Sequence, residues 1–219
     1  MPEQNRKIER IVLVDQVHET LKERILDRSY EPGTKLNIDA LRRELDVSST
    51  PLREALARLS AEGLVRAAPF VGFTVAPMPP PDYYRDLYAF RLVIEPWAAS
   101  ETARLRPPAT IEILEAALHD MSQHSLSRRY SHYRDFTEAD EAFHHAIMAG
   151  TGNEPACRAF ESLRIHLHTA RLYISREQDT PSTHAQHLAI FEAIRGGDEA
   201  AAAARMREHL ISSRIKLLE

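Results

Sequence analysis

The stretch LRRELDVSSTPLREALARLSAEGLV, residues 41–65, predicts two short helices joined by a tight turn, with a strand beginning at its end. Apolar residues recur at helical spacing in each half of the stretch. The first set is Leu41, Leu45 and Val47, and the second is Leu52, Leu56 and Leu59. The two helices are therefore expected to pack on each other through these faces.

The turn between the two helices carries the signals of a helix start. Ser48 or Ser49 can cap the second helix, and Pro51 suits its first turn, where a missing N–H costs nothing. Glu54 falls where the partner of a capping box is expected. The second helix therefore has a polar N-terminal end, and it either enters a DNA major groove or only packs against its neighbour.

Two short apolar runs follow around Gly72, at residues 64–68 and 73–75, and predict a β-hairpin. Helix, turn, helix and hairpin together form a winged helix-turn-helix. Over residues 10–76 the chain resembles the DNA-binding domain of the GntR family of bacterial transcription regulators. The matching segments are PGTKL at 32–36, VSSTPLREAL at 47–56, EGLV at 62–65 and the Gly72 wing.

The resemblance implies which residues contact operator DNA. They lie at the start of the second helix, in the wing and on the first helix: Ser48, Ser49, Thr50 and Arg53, then Gly72, then Arg42 and Arg43. The last two are equally explained as solvated charges. The family usually has arginine at the place of Ser49, a basic residue at Val71 and glycine at Asp46. The loss of two cations predicts weaker salt-dependent affinity for DNA.

The composition excludes several other classes of protein. The 219 residues include 28 Lys and Arg against 32 Asp and Glu, a net charge of −4, so the chain has no global basic signature. A single cysteine, Cys157, excludes a disulfide framework and a cysteine-rich zinc module. No apolar run is long enough for a membrane span, and the N-terminus does not resemble a signal peptide, so we expect a cytoplasmic protein.

A proline-rich segment, PMPPP at residues 77–81, predicts a linker, because proline continues neither helix nor sheet. It separates a DNA-binding domain, residues 1–76, from residues 82–219, whose apolar periodicity predicts an all-α antiparallel helical bundle. The fold class is therefore mainly α. The predicted helices span about 82–105, 108–124, 130–149, 154–175, 182–195 and 198–216. The first of them is expected to turn Leu87, Phe90, Val93 and Trp97 inward.

Four side chains of the bundle are candidate metal ligands. Asp140 and His144 are four residues apart and share a helix face, so they either bind one metal ion or only each other. The apolar neighbours of His187 and His209 place both side chains inward. Three helices are thus predicted to deliver these four residues to one point. Other histidines are expected at the surface, namely His18, His119, His124 and His132.

Residues 82–219 also resemble the FCD ligand-binding domain of the FadR-type branch of GntR regulators. The matching segments are RLVIEPWAA at 91–99, DEAFH at 140–144, GN at 152–153, HLAIFEAIRGGD at 187–198 and MREHL at 206–210. In metal-binding members an Asp and three His at these positions hold a divalent ion. The resemblance thus assigns Asp140, His144, His187 and His209 as ligands, a donor set that suits Zn²⁺, Ni²⁺ or Mn²⁺.

The resemblance further implies that a small organic acid binds at the metal. Arg91 is the candidate to pair with its carboxylate, although an ion pair with Glu95 explains Arg91 as well. Asn153 is a second polar contact or simply a helix cap. His145 is expected to point away from the metal, because neighbouring residues diverge by about 100° on a helix. His184 is a candidate for a position behind the ligands, and His166 and His168 are also expected to line the bundle.

The expected function is a ligand-responsive bacterial transcription regulator, more often a repressor in this family. It would bind a near-palindromic operator as a homodimer, and a small carboxylate bound at the metal would control it. One alternative is a metal-free regulator that binds a larger acyl ligand. A metal-dependent hydrolase or lyase is a second, although the chain has no HExxH motif and no clear general base.

Overall fold

The computed structural model describes residues 2–123, 130–173 and 180–218. These residues form two compact units, one ending at Met78 and the other beginning at Pro79. The predicted fold class, a winged helix-turn-helix followed by an all-helical bundle, is confirmed. Within the described ranges, every helix is too short or too polar to span a lipid bilayer.

The first unit is a helix-turn-helix with a three-stranded antiparallel wing. Its elements are α1 Pro2–Leu26, β1 Lys35–Leu36, α2 Ile38–Leu45, α3 Ser49–Ala61, β2 Val65–Ala68 and β3 Gly72–Val75. The strand order is β1-β3-β2, and Ala68 faces Gly72 at the tip of the hairpin. Helix α3 packs against α1 and α2, and the side chains of Leu52, Leu56 and Leu59 are completely buried. Apolar periodicity therefore located the core face of α3 correctly.

The turn between α2 and α3 differs from the expected capping box. Helix α3 begins after Ser48, whose side chain makes no capping hydrogen bond. The residue three positions beyond this cap is Pro51, so Glu54 lies too far along the helix to be a capping-box partner. Asp46 caps the end of α2 with a left-handed φ of 50°, a conformation that favours glycine.

The expectation that His18 lies at the surface is wrong. Its side chain is buried on α1, where Nε2 lies 2.8 Å from Oε1 of Glu62 and Nδ1 lies 3.0 Å from Oε1 of Glu19. The hydrogen bond with Glu62 raises the pKa of His18 above its ordinary value. His119 is exposed as expected, whereas His124 and the side chain of His132 lie outside the described part of the chain.

The second unit is a bundle of helices around one core. Its helices are α4 Pro81–Leu105, α5 Pro108–Gln123, α6 Tyr130–Gly150, α7 Glu154–Ser162, α8 Ile165–Tyr173, α9 Thr180–Gly196 and α10 Glu199–Leu218. Pro81 is the first residue of α4 and so does not belong to a linker. The helix predicted over residues 154–175 is broken, because Arg164 takes a left-handed φ of 44° between α7 and α8.

Helix α4 presents a different face to the bundle from the one that its apolar residues predict. Leu87 is buried as expected, but Phe90, Val93 and Trp97 are exposed, and Val93 retains 75% of its accessible surface. The buried face of α4 instead carries two alanines and an ion pair, from Arg91, Glu95, Ala98 and Ala99. The same face also buries Tyr84 and Tyr88, and α4 makes its most extensive packing against α10.

Candidate metal and DNA-binding sites

Three histidines from three different helices meet inside the bundle. His144 lies on α6, His187 on α9 and His209 on α10, and each retains at most 2% of its accessible surface. One ring nitrogen from each lies within 4.8 Å of the others. Each histidine lies on the buried apolar face of its own helix. Packing of these three faces against one another therefore brings the rings together.

The outer nitrogen of each ring faces an acceptor on a neighbouring group. Nδ1 of His187 lies 2.8 Å from the carbonyl of Thr183, and Nδ1 of His209 lies 3.1 Å from Oε1 of Gln186. Nδ1 of His144 lies 2.6 Å from Oε2 of Glu95. The acceptors beside His187 and His209 favour a proton on Nδ1 of each ring, which leaves the Nε2 lone pairs facing the centre of the cluster.

Several electron-pair donors consequently converge on one point. Nε2 of His187 lies 3.3 Å from Nε2 of His144, and Oδ1 of Asp140 lies 3.1 Å from the same nitrogen of His187. The distance from Oδ1 of Asp140 to Nε2 of His144 is 4.0 Å. Lone pairs this close repel one another unless a cation lies between them. The donor set, imidazole nitrogens with a carboxylate oxygen, therefore fits a divalent transition-metal ion.

Protonation also favours metal binding. Burial lowers the pKa of His144, and burial together with the neighbouring rings of His187 and His144 lowers the pKa of His209 well below its usual range. Burial alone would raise the pKa of Asp140, but the close contacts of His166 and His187 outweigh it and hold that pKa well below its ordinary value. Neutral imidazole and ionised carboxylate are the forms that bind a metal ion.

A buried carboxylate links the histidine cluster to Arg91. Oε1 of Glu95 lies 2.5 Å from Nε of Arg91, and its other oxygen faces His144. Burial would raise the pKa of Glu95, but Arg91 and His144 lower it to about 2. The structure thus shows the ion pair that the sequence left open for Arg91. A contact between Arg91 and an effector remains a prediction.

The other candidates from the sequence have structural roles or lie apart from the histidine cluster. Asn153 caps α7, since its side chain accepts a hydrogen bond from the amide of Ala156. His145 is exposed and pairs with Glu161, as expected for a residue that points away from the cluster. Nε2 of His184 lies 3.2 Å from the carbonyl of Leu118.

Sequence reasoning missed several residues that contact the cluster. They are Glu95, Thr183 and Gln186, and His166 was noted only as lining the bundle. Nδ1 of His166 lies 3.8 Å from Oδ2 of Asp140. Of these residues, only Gln186 could have been suspected from the sequence, because it directly precedes His187. Glu95 lies on a different helix from the histidine that it contacts, and Thr183 contacts His187 through its backbone carbonyl.

A small cavity lies beside the cluster. It measures about 120 Å³ and is lined by residues of α6, α7 and α8, among them Phe160, Arg164 and His166. His166 contacts Asp140 as well, but the cavity is also lined by His145 and Glu161, which face away from the histidine cluster.

The residues expected to contact DNA form an accessible surface of the first unit. Ser48, Thr50 and Arg53 are exposed at the start of α3, and Ser49 is half-buried. Gly72 is exposed in the wing with a φ of +94°, a conformation that favours glycine. Arg42 and Arg43 are also exposed, and both contact Asp39 on their own helix.

The chain belongs to the GntR family of bacterial regulators. Residues 13–75 match the family described as bacterial regulatory proteins, gntR family, and residues 86–212 match the FCD domain. A transcriptional regulator from an unstable DNA locus of Streptomyces ambofaciens is 30% identical over 191 residues, covering 87% of this chain and 78% of that protein. The repressor GlaR of Escherichia coli is 26% identical over 210 residues, 88% of this chain and 90% of the repressor.

Solved structures agree with this fold. The Escherichia coli regulator McbR/YncC superposes with a TM-score of 0.65 at 21% identity, over 91% of this chain and 94% of its own. A GntR regulator from Rhodococcus sp. RHA1 gives a TM-score of 0.67 at 22% identity, over 94% of this chain and 97% of its own. The matches to the GntR family and to its relatives show that the protein is a DNA-binding transcription regulator and not an enzyme.

Proposed function

We propose that the protein is a metal-dependent transcription regulator, controlled by a small carboxylate that binds at the metal in the helical bundle. The observation that carries this proposal is the buried cluster of His144, His187 and His209 with its outward-facing Nδ1 contacts. Asp140 would be the fourth ligand. The donors suit Zn²⁺, Ni²⁺ or Mn²⁺, and such an ion would supply a positive charge and an open position for a carboxylate oxygen.

The effector would be a short organic acid, as the resemblance to the FCD domain implies. Arg91 is already neutralised by Glu95, so the metal would provide most of the attraction for a carboxylate. The effector would act by binding one arrangement of the dimer better than another.

The regulator would act in the cytoplasm, bind a near-palindromic operator and repress transcription from it. Two relatives, GlaR and RspR of Escherichia coli, are named as repressors. On α3, Arg53 would reach a base edge or a phosphate, with Ser48, Ser49 and Thr50 beside it. Gly72, Arg42 and Arg43 would contribute further contacts to the DNA backbone.

The operator contact predicts a distinct result for Arg53→Ala. We expect the wild-type protein to shift DNA that flanks its own gene, and the variant to bind it about tenfold or more weakly. The slope of log affinity against log salt should fall by about two, because each subunit of the dimer loses one contact of a cation with the DNA. Failure of the wild-type protein to bind any such fragment, with or without short organic acids, would contradict the proposal.

We expect the exposed face of α4 to form the dimer interface, where it packs against a second copy of the chain. This face runs along the helix at intervals of one or two turns, through Asp86, Phe90, Val93, Trp97 and Arg104. When two copies of α4 pair antiparallel about a two-fold axis, Asp86 meets Arg104 of the partner subunit and Val93 meets Trp97 of the partner subunit. Asp86 and Arg104 already contact opposite charges on their own helix, Arg85 and Glu101, so the apolar residues between them would contribute most to the pairing.

Val93→Glu is therefore predicted to convert the dimer to a monomer. A carboxylate at the centre of this apolar face would lose its water on pairing without gaining a partner. Light scattering during size-exclusion chromatography measures the mass directly. Ile113→Glu, on the exposed side of α5, is the matched control and should stay dimeric. A dimeric Val93→Glu variant would place the interface elsewhere.

A further inference from the structure

The tip of the wing carries a large apolar side chain that no part of the described protein covers. Phe70 retains all of its accessible surface (109%), and Val71 beside it retains 51%. The backbone of Phe70 has a φ of +63°, a conformation that bulky residues rarely adopt. A ring that is exposed to water on a strained backbone contributes nothing to folding, and such sites are often kept for binding.

The surroundings of Phe70 point to a nucleic-acid partner. Residues 65–75 include one cation, Arg66, and no acidic side chain. The wing tip also shares one concave surface with Arg53, which projects from the start of α3. The apolar tip is thus continuous with the surface through which this family binds DNA.

We propose that Phe70, with Val71, is an apolar wedge that enters the minor groove of the operator. The ring packs against sugars and base edges there, as apolar side chains do in other minor-groove proteins. Pro69 restricts the backbone directly before the tip, and Gly72, which has no side chain, allows β3 to approach the groove closely. This inference rests on the proposed binding to operator DNA and names how the wing takes part.

An apolar contact of the wing tip with DNA also accounts for Val71, where the resemblance to the GntR family predicts a basic residue. A basic residue would attract phosphates, and its contribution would fall as salt rises. Phe70 and Val71 make a contact that depends on apolar area and so changes little with salt. The two exposed side chains are too small an area for a stable contact with another protein, which normally needs about 800 Å² on each partner.

The test compares Phe70→Ala with Arg53→Ala on the operator fragment that the wild-type full-length protein binds. We expect Phe70→Ala to weaken binding about tenfold with an unchanged salt slope, whereas Arg53→Ala reduces the slope by about two, one contact for each subunit of the dimer. Phe70→Arg should bind with a slope steeper by about two. Hydroxyl-radical footprinting should show that Phe70→Ala loses protection of minor-groove sugars at one position in each half-site.

Exposed Ile113→Ala is the control for general loss of apolar surface and should bind like the wild type. Equal affinity and an equal footprint for Phe70→Ala and the wild type would overturn the wedge while leaving operator binding intact. Loss of dimer mass in Phe70→Ala would overturn it as well, since the tip would then contact protein. If the wild-type protein binds no operator, the proposed function itself fails.

Discussion

His187→Ala is expected to remove stoichiometric metal from the protein. The wild type should bind about one divalent ion per chain after purification, measured by elemental analysis and calorimetric titration. Removal of His187 deletes the nitrogen that lies closest to both His144 and Asp140. We expect its metal affinity to fall by about 100-fold or more. The response of operator binding to short organic acids should disappear in the same variant.

His145→Ala provides the matched control for this experiment. His145 lies next to His144 on α6 but is exposed and pairs with Glu161. Its replacement should leave the metal content and the effector response unchanged. A wild-type protein without bound metal, or a His187→Ala variant that keeps both metal and response, would contradict the proposed site.

Glu95→Ala is expected to cause a large loss of stability in the bundle. The change leaves the buried cation of Arg91 without its partner and removes the acceptor that faces His144. Breaking a buried ion pair from one side costs about 3–5 kcal/mol in the free energy of unfolding. The melting temperature should fall by about 10 °C or more. Metal affinity should also fall by about 10- to 100-fold, because Glu95 orients a ligand.

Glu192→Ala separates this effect from the loss of an ordinary ion pair. Glu192 lies 2.6 Å from Arg195 on α9, and both side chains are about half exposed. Solvent screens such pairs, so the melting temperature should hardly change. Calorimetric melting of the two variants, each with and without added metal, makes the comparison. Equal melting temperatures for the two variants would exclude a structural role for Glu95.

The helices of the bundle were largely predictable from the chain. The predicted bounds 108–124 and 130–149 lie within one residue of α5 and α6, because apolar periodicity and glycine or proline at helix ends are local signals. The break at Arg164 was missed, since no glycine or proline stands there and only packing forces its left-handed φ. The two-residue strand β1 was also too short to leave a pattern.

The candidate site was predictable to a lesser extent. The spacing of Asp140 and His144 and the resemblance to the FCD domain named the proposed ligands. The acceptors behind the ligands were not evident, because Glu95 and His144 are far apart in the chain and meet only when α4 packs beside α6. Contacts between helices depend on helix rotation, which a single sequence constrains weakly.

The sequence by itself determined the winged helix-turn-helix, the helical bundle and the set of proposed metal ligands, since each follows from local periodicity or from short motifs. Tertiary structure alone decided which way α4 faces, and thereby that Arg91 and Glu95 lie inside while Val93 and Trp97 face outward. The physical reason is that α4 packs against α10, α6 and α9 at once, and the rotation that satisfies these contacts is not encoded in its local periodicity.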